Sequence, residues 1–341
     1  MSNQERKKSY LSIFEEIAGI SSPIEKHNGL SYPDLQKEKT SPLEEIYTLT
    51  DELDHQILMH RDAHFGGHFD IMISYYDQKD HIGIYPEFES KRILYLKEIE
   101  RQLGKNLAPL MLTGAEAEQV ARSRRAYEKL KAIYTIEKPK DLISSDYLIA
   151  DLILSESKYP KQEITAIVSQ GKRMLPELLQ IIKSEYAYSP LFPGYGYAPY
   201  FTILCLSQIK DPSTIIPLFE ILGREIVFDE EVILDALRAI GEPAKQFLLQ
   251  LLKGRPFTQD TTHAAFALTV FSKELEVAIA ALKELQDPRV WAMPLLRSYL
   301  LYNTESIQGY KEQKMLFQMV DHPEIPMDFR KEIEKMIQNW I

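Results

Sequence analysis

Apolar residues follow a helical spacing along most of this chain. Before Pro139, no stretch of useful length alternates apolar and polar residues as a half-buried strand does. Apolar stripes there predict buried segments over residues 1–20, 41–58, 69–76, 87–104 and 113–134. Residues 20–40 lose this periodicity and are expected to form a long loop. The first part of the chain is therefore predicted to be all-α.

Local signals mark where several of these helices begin and end. Ser41-Pro42-Leu43-Glu44 and Thr113-Gly114-Ala115-Glu116 each place a hydroxyl three positions before a glutamate, which is typical of a helix start. Gly66-Gly67 interrupts the apolar pattern that follows the first of these starts, and Gly104 suits a left-handed helix end. Pro139 marks the end of this part of the chain.

Four short helical phrases recur at a constant interval in the second half of the chain. They are Cys205–Ile209, Ala236–Ile240, Ala267–Phe271 and Ser298–Tyr302. Each begins with a small residue, followed by a large apolar residue and by another apolar residue three positions later. We call the helices that carry these phrases the B helices. A constant period of this size is typical of an α-helical solenoid.

A second set of apolar phrases predicts partner helices, which we call the A helices. They hold Leu178–Ile182, Leu218–Leu222 and Leu248–Leu252, with a weaker fourth near 274–286. The first interval between these phrases is longer than the second, and the extra residues fall in one place, between 184 and 198. Insertions in solenoids occur in the turns between helices, so this segment is expected to be an enlarged loop.

Paired helices of this kind, with a small-Leu-x-x-apolar pattern in the B helix, resemble HEAT repeats. The closest variety is the short bacterial kind, also seen in phycobilisome-lyase-type proteins. The resemblance covers residues 160–305 and implies an α–α superhelix, but such repeats serve scaffolds, adaptors and a few enzymes alike. Residues 1–140 carry no such resemblance. We predict an all-α chain with a helical domain at 1–140, a HEAT-like solenoid at 141–326 and a capping helix at 327–341.

Composition narrows the classes of function. The net charge is −10, and residues 201–250 hold 4 basic against 8 acidic side chains, which argues against binding to nucleic acid. The one cysteine, Cys205, lies on an apolar stripe, and a single cysteine can form neither a disulfide nor a cysteine metal site within the chain. No apolar run is long enough to cross a membrane, and the polar start lacks the apolar core of a signal peptide. We expect a cytoplasmic protein, although secretion without a cleavable signal would leave no such segment.

Five of the eight histidines lie between residues 55 and 81. His60 and His64 are spaced i, i+4, so on one helix they share a face and could bind one metal ion. His68 and Asp70 could turn back toward them, which gives a ligand set suited to zinc or another divalent metal. Arg61, however, occupies the position where the metalloprotease helix needs a glutamate. We favour a hydrogen-bonded structural junction and keep a metal or ligand site as the alternative.

Aromatic side chains are concentrated in and beside the enlarged loop. They are Tyr186, Tyr188, Phe192, Tyr195, Tyr197, Tyr200 and Phe201. Aromatic rings offer a large contact area at low entropic cost, so this loop could bind a peptide or a partner protein. The alternative, which we favour, is that the loop folds back and packs its aromatic residues on the N-terminal helices.

Sequence motifs of common enzymes are absent from the chain. It holds neither a glycine-rich phosphate loop nor a serine nucleophile elbow. The sequence therefore favours a protein–protein interaction module or scaffold without a cofactor, which binds another protein through the solenoid face or the aromatic loop at 184–201. The alternative is a metal- or ligand-binding protein, or an enzyme, with a site around His60–Asp70.

Overall fold

The computed structural model describes residues 51–78, 81–136, 144–224 and 226–338. In these residues the regular structure is helical, and the strand-like pairing is limited to an isolated bridge between His81 and Ser157. The predicted all-α class is confirmed for this part of the chain. The helix predicted at 1–20, the loop at 20–40 and the domain boundary at 140/141 lie outside the described residues and stay predictions.

Contacts between residues divide the chain into two compact units, residues 1–202 and residues 203–341. The helices of the first unit are α1 Glu52–His64, α2 Phe69–Tyr76, α3 Ser90–Leu103, α4 Ala108–Met111, α5 Gly114–Ile136, α6 Ser145–Leu154, α7 Lys161–Ser169 and α8 Leu175–Lys183. Helix α9, Ala198–Ile209, contains the point of division.

Helix α1 begins at Asp51, which has an extended backbone and caps the helix. The Asp54 amide donates to Asp51 Oδ1 and the Asp51 amide donates to Asp54 Oδ2, both over 3.2 Å. The prediction of one uninterrupted helix over residues 41–58 is therefore wrong at Asp51, because an extended residue cannot continue a helix. Gly66 and Gly67 end α1 with φ angles of 61° and 84°, which glycine adopts without a Cβ clash.

Two other predicted helix boundaries are confirmed in the first unit. Helix α3 ends at Gly104, which adopts the left-handed conformation with φ at 60°. Thr113 and Glu116 form the reciprocal cap of α5, in which the Thr113 amide donates to Glu116 Oε2 over 2.6 Å. Helix α5 packs against α1 and α6, and α6 packs against α7, so α5 lies at the centre of this unit's packing.

The enlarged connection predicted at 184–198 joins α8 to α9. It starts with a single 3₁₀ turn over Glu185–Tyr188 and then runs through consecutive turns to Ala198. We call this segment, together with the first turn of α9, the aromatic loop (residues 184–201).

The second unit also consists of packed helices. They are α10 Ile215–Phe219, α11 Glu231–Ile240, α12 Glu242–Leu252, α13 Gln259–Ala267, α14 Leu275–Leu285, α15 Pro288–Trp291, α16 Pro294–Asn303, α17 Tyr310–Val320 and α18 Met327–Gln338. Helix α13 packs against both α12 and α16, and α16 also packs against α14. The B phrases lie on α9, α11, α13 and α16. The third phrase begins at Ala267, the last residue of α13, and continues through a 3₁₀ turn, Leu268–Phe271.

Three of the four small residues that open the B phrases lie at close helix contacts. Cys205, Ala236 and Ala267 have no solvent-exposed surface, so the helices approach closely at these positions. The second A phrase is shorter than predicted, because α10 ends at Phe219 and the chain turns through Gly223 with φ at 79°.

Helix α18 lies within the segment predicted as a polar capping helix, and it is amphipathic. Phe329, Ile333 and Ile337 are buried along one side, and its other positions are largely polar. It packs against α16 and α17. Within the described residues, no helix has both the length and the apolar character that a bilayer crossing requires.

Candidate functional site

His60 and His64 lie side by side on α1, with their ring centroids 4.7 Å apart. The i, i+4 spacing therefore brings them together as predicted. Both rings lie inside the first unit, where His60 is 2% exposed. Burial and the neighbouring His64 hold the pKa of His60 well below its usual range.

Both ring nitrogens of His64 already have hydrogen-bond partners. Nε2 lies 2.9 Å from the Pro190 carbonyl oxygen, and Nδ1 lies 2.7 Å from the Tyr127 hydroxyl. Because a carbonyl only accepts, the proton is on Nε2 and Nδ1 accepts from Tyr127. Burial lowers the pKa of His64 to about 4, so the ring is neutral at pH 7. A metal ion could bind Nδ1 only after the bond to Tyr127 was broken.

His68 and Asp70 lie at a different surface of the first unit. Both are exposed, and Asp70 forms an ion pair with Lys97 on α3. The left-handed turn at Gly66-Gly67 separates them from the buried pair, so the four residues considered as metal ligands are not assembled into one site. In the described part of the chain, no three His, Cys, Asp or Glu side chains are arranged to hold a metal ion.

Arg61, between the two histidines, is the centre of a buried polar network. Its guanidinium donates to Asp62 over 2.7 Å, to Glu100 over 2.7 Å and to Asn106 over 2.8 Å, and its side chain has no exposed surface. Arg124 of α5 donates to the second oxygen of Asp62 over 3.0 Å. The network joins α1, α3 and α5, as expected of a structural junction. Glu100 and Asn106 escaped the sequence analysis because they lie far from Arg61 along the chain.

The aromatic loop packs on the helices of the first unit, as the favoured interpretation predicted. Tyr188, Phe192 and Tyr195 are 8%, 1% and 2% exposed, so these three rings are unavailable to a partner. The Tyr195 ring lies 4.2 Å from the His64 ring and 5.7 Å from the Tyr75 ring, measured between centroids.

Three of the proposed loop contacts remain partly exposed. They are Tyr186, Tyr197 and Tyr200. The Arg122 guanidinium lies 4.0 Å above the Tyr186 ring, so this ring also has a partner within the unit. The loop therefore acts mainly as part of the core, because most of its aromatic surface is covered by α1, α2 and α5.

A cavity of about 390 Å³ opens beside His64 in the first unit. Its polar lining was not recognised in the sequence, because α5, α6, α7 and the aromatic loop each supply part of it. Its charged and aromatic lining residues are His64, Tyr127, Lys131, Asp151, Glu156, Glu163 and Tyr195. Burial and the nearby Glu163 raise the pKa of Asp151 above its usual value.

The second unit contains a wider groove of about 530 Å³. Its lining comes from α13, from α16 with the residue before it, and from the loop before α11. The lining residues are Gly223, Glu230, Gln259, Thr262, His263, Phe266, Met293, Pro294, Leu295, Leu296 and Tyr299. Leu295 is 65% exposed at the edge of this groove. The groove is mostly apolar, and its walls are consecutive B helices.

The fold defines this chain as an all-α protein of many mutually packed helices, an arrangement compatible with helical repeats. No protein-family model, curated protein or solved structure matches the chain.

Proposed function

We propose that this protein is a helical-repeat interaction module that binds an amphipathic helix of a partner protein in the apolar groove of the second unit. The observation that carries this proposal is the exposed apolar surface between the consecutive B helices α13 and α16. Exposed apolar surface of this kind is costly in water, and an amphipathic helix would cover it with its apolar face.

The proposal is supported by a repeated helical pattern that resembles HEAT repeats. Helices α11, α13 and α16 carry the B phrases at a constant interval, and α13 and α16 pack on one another. The finer assignment to the short bacterial HEAT-like kind, with a superhelical arrangement, rests on this pattern and stays part of the proposal. In such repeats, equivalent helices supply an extended binding surface.

The charge beside the groove favours a basic partner helix. Glu230 lines the groove, and its neighbours Asp229 and Glu231 are acidic as well. Glu230 Oε1 accepts the Gly223 amide over 2.6 Å, which holds this acidic edge in place. A helix with Leu or Phe on one face and Lys or Arg beside it would complement both the apolar wall and the acidic edge.

We also propose that the protein acts in the cytoplasm. Cys205 is a buried free thiol and the chain holds no second cysteine, so stability does not depend on a disulfide within the chain. This usage fits a reducing compartment.

Selection from a displayed library of random peptides, each long enough for about four helical turns, tests the groove. We expect the immobilised full chain to enrich peptides with apolar residues at helical spacing and with Lys or Arg nearby. Fluorescence anisotropy of an enriched peptide should show that Leu295→Glu weakens its binding by about tenfold or more, because the charge would face the apolar side of the helix.

Leu275→Glu is the matched control, because Leu275 is 58% exposed on α14 and does not line the groove. This variant should bind the peptide as the native chain does. Equal losses in both variants, or enrichment of peptides without an apolar face, would contradict the proposed function.

A further inference from the structure

The cavity beside His64 has the size of a small-molecule site and a lining that combines aromatic rings with carboxylates. Its volume of about 390 Å³ lies in the range of ligand pockets. Every lining residue belongs to the first unit, so the cavity is separate from the groove of the proposed function. We propose that this cavity binds a small organic diammonium ion.

The charge of the cavity favours a cation. Asp151, Glu156 and Glu163 supply three carboxyl groups and Lys131 supplies one amino group, so acidic side chains outnumber basic ones in the lining. The Glu156 carboxylate lies 3.8 Å from Nδ1 of His81.

Asp151 and Glu163 are neighbouring carboxylates in the lining of the cavity. In the described part of the chain, neither carboxylate accepts a hydrogen bond or forms an ion pair, although each is partly buried. Two neighbouring carboxylates without donors repel each other, and a bound ammonium group would supply both the donors and the opposite charge.

Within the same lining, the ammonium group of Lys131 lies near the aromatic ring of Tyr127. The Lys131 Nζ atom lies 5.5 Å from the centre of the Tyr127 ring, within the range of a cation–π contact. The Tyr127 ring is fixed by the hydrogen bond from its hydroxyl to His64 Nδ1. An alkylammonium ligand would find the same ring face, and Lys131 would compete with it for that face.

The combination of carboxylates with aromatic and apolar side chains in the lining fits an organic cation better than a metal ion. A metal ion requires several oxygen or nitrogen ligands at close range, and the described residues include no group of three that could supply them. The lining supplies carboxylates for the ammonium groups of an alkyl diamine, and Leu154 and Tyr127 supply apolar and aromatic contact for its carbon chain.

Isothermal titration calorimetry of the full chain with putrescine, a four-carbon diamine, tests the proposal. We expect one site per chain, with affinity about tenfold weaker in Asp151→Asn and in Glu163→Gln, because each substitution removes one charged acceptor. Lys131→Met should strengthen binding, because it removes the competing ammonium group.

Glu128→Gln is the matched control, since Glu128 follows Tyr127 on α5 but does not line the cavity. It should leave the affinity unchanged, and circular dichroism should show that all variants are folded. Absence of binding at about 10 mM putrescine, or equal affinity in Asp151→Asn and the native chain, would overturn the proposal.

Two further titrations separate the possible ligands. N-acetyl-lysine methylamide carries one ammonium group, so it should bind more weakly than putrescine if the ligand is a free diamine. Binding tighter than that of putrescine would overturn the diammonium assignment in favour of a lysine side chain. Mg²⁺ should neither release heat nor displace putrescine, and specific binding of Mg²⁺ without binding of putrescine would also overturn the proposal.

Discussion

Arg61 shows how a buried charge is stabilised by its neighbours. Its guanidinium contacts two carboxylates and an amide, and it lies 4.3 Å from the centre of the Phe69 ring. A charge without exposed surface is tolerated only when its donors are engaged, and removing it leaves the remaining charges without a partner. Asp62 is 6% exposed and would keep only Arg124 as an ion-pair partner.

Replacing Arg61 with Met should destabilise the protein by about 3–5 kcal/mol, because Glu100 loses its arginine partner and Asp62 keeps only Arg124. Chemical denaturation followed by circular dichroism measures this change. Arg101→Met is the control, since Arg101 is 70% exposed in its pair with Glu98 and its replacement should leave the stability nearly unchanged. Similar losses in both variants would show that the network is not stabilising.

His64 should make the protein less stable in acid. The unfolded chain binds a proton at this residue below pH 6.5, whereas the buried ring does so only near its lowered pKa of about 4. Between these values the unfolded state binds more protons, so the free energy of unfolding falls by roughly 2–3 kcal/mol as the pH drops from 6.5 to 4. Denaturation over this pH range checks the slope, which His64→Gln should reduce. An NMR signal of protonated His64 above pH 6 would contradict the buried neutral state.

At the scale of the element, the aromatic loop is held by a close contact with the segment after α2. Gly83 has φ at 74°, and a Cβ atom at this position would overlap the Tyr195 ring. Tyr195 itself has φ at 60°, which is unusual for a residue with a side chain. The loop thus tolerates an unfavourable backbone in order to place one ring between α1 and α2.

Gly83→Ala should destabilise the first unit by about 3 kcal/mol or more, because it adds a clash to the cost of a left-handed backbone. Gly104→Ala is the matched control: Gly104 has φ at 60°, and no atom lies within 4 Å of the position its Cβ would take. Its cost should be about 1–2 kcal/mol, from the backbone alone. Thermal unfolding of both variants measures the difference, and equal costs would show that the Tyr195 ring can move aside.

Local signals predicted the elements better than they predicted the contacts between them. The helix caps at Gly104 and Thr113 could be predicted from the sequence because each depends on residues within one turn. The pairing of His60 with His64 could be predicted for the same reason. The direction of the chain after Gly66-Gly67 could not be predicted, because it depends on two conformationally free glycines. The Tyr195–His64 contact and the carboxylates around the cavity join segments far apart in sequence, and periodicity carries no information about such contacts.

At the scale of the whole molecule, the two units carry different kinds of surface. The first unit has a small cavity lined by carboxylates and aromatic rings, and the second has a mostly apolar groove. Each surface is lined by residues of one unit only, so each proposed binding activity should depend on its own unit.

The two activities should therefore separate by mutation. Leu295→Glu should weaken binding of the selected peptide by about tenfold or more and leave the putrescine affinity unchanged. Asp151→Asn should weaken putrescine binding by about tenfold and leave peptide binding unchanged. Anisotropy and calorimetry on the same two protein preparations check this outcome. If either variant lost both activities, it would have perturbed the whole fold, or the two ligands would share a site.

Cys205 gives the molecule a useful chemical property. It is the one cysteine in the chain, it has no exposed surface, and burial raises the pKa of its thiol to about 12. Only the thiolate reacts with disulfide and maleimide reagents, so the folded chain should remain unlabelled under conditions that modify an exposed cysteine within minutes. A cysteine introduced at Leu295 could then carry a fluorophore with the native thiol left in place. In the unmodified chain, the slow labelling of Cys205 would report how often helix α9 opens under native conditions.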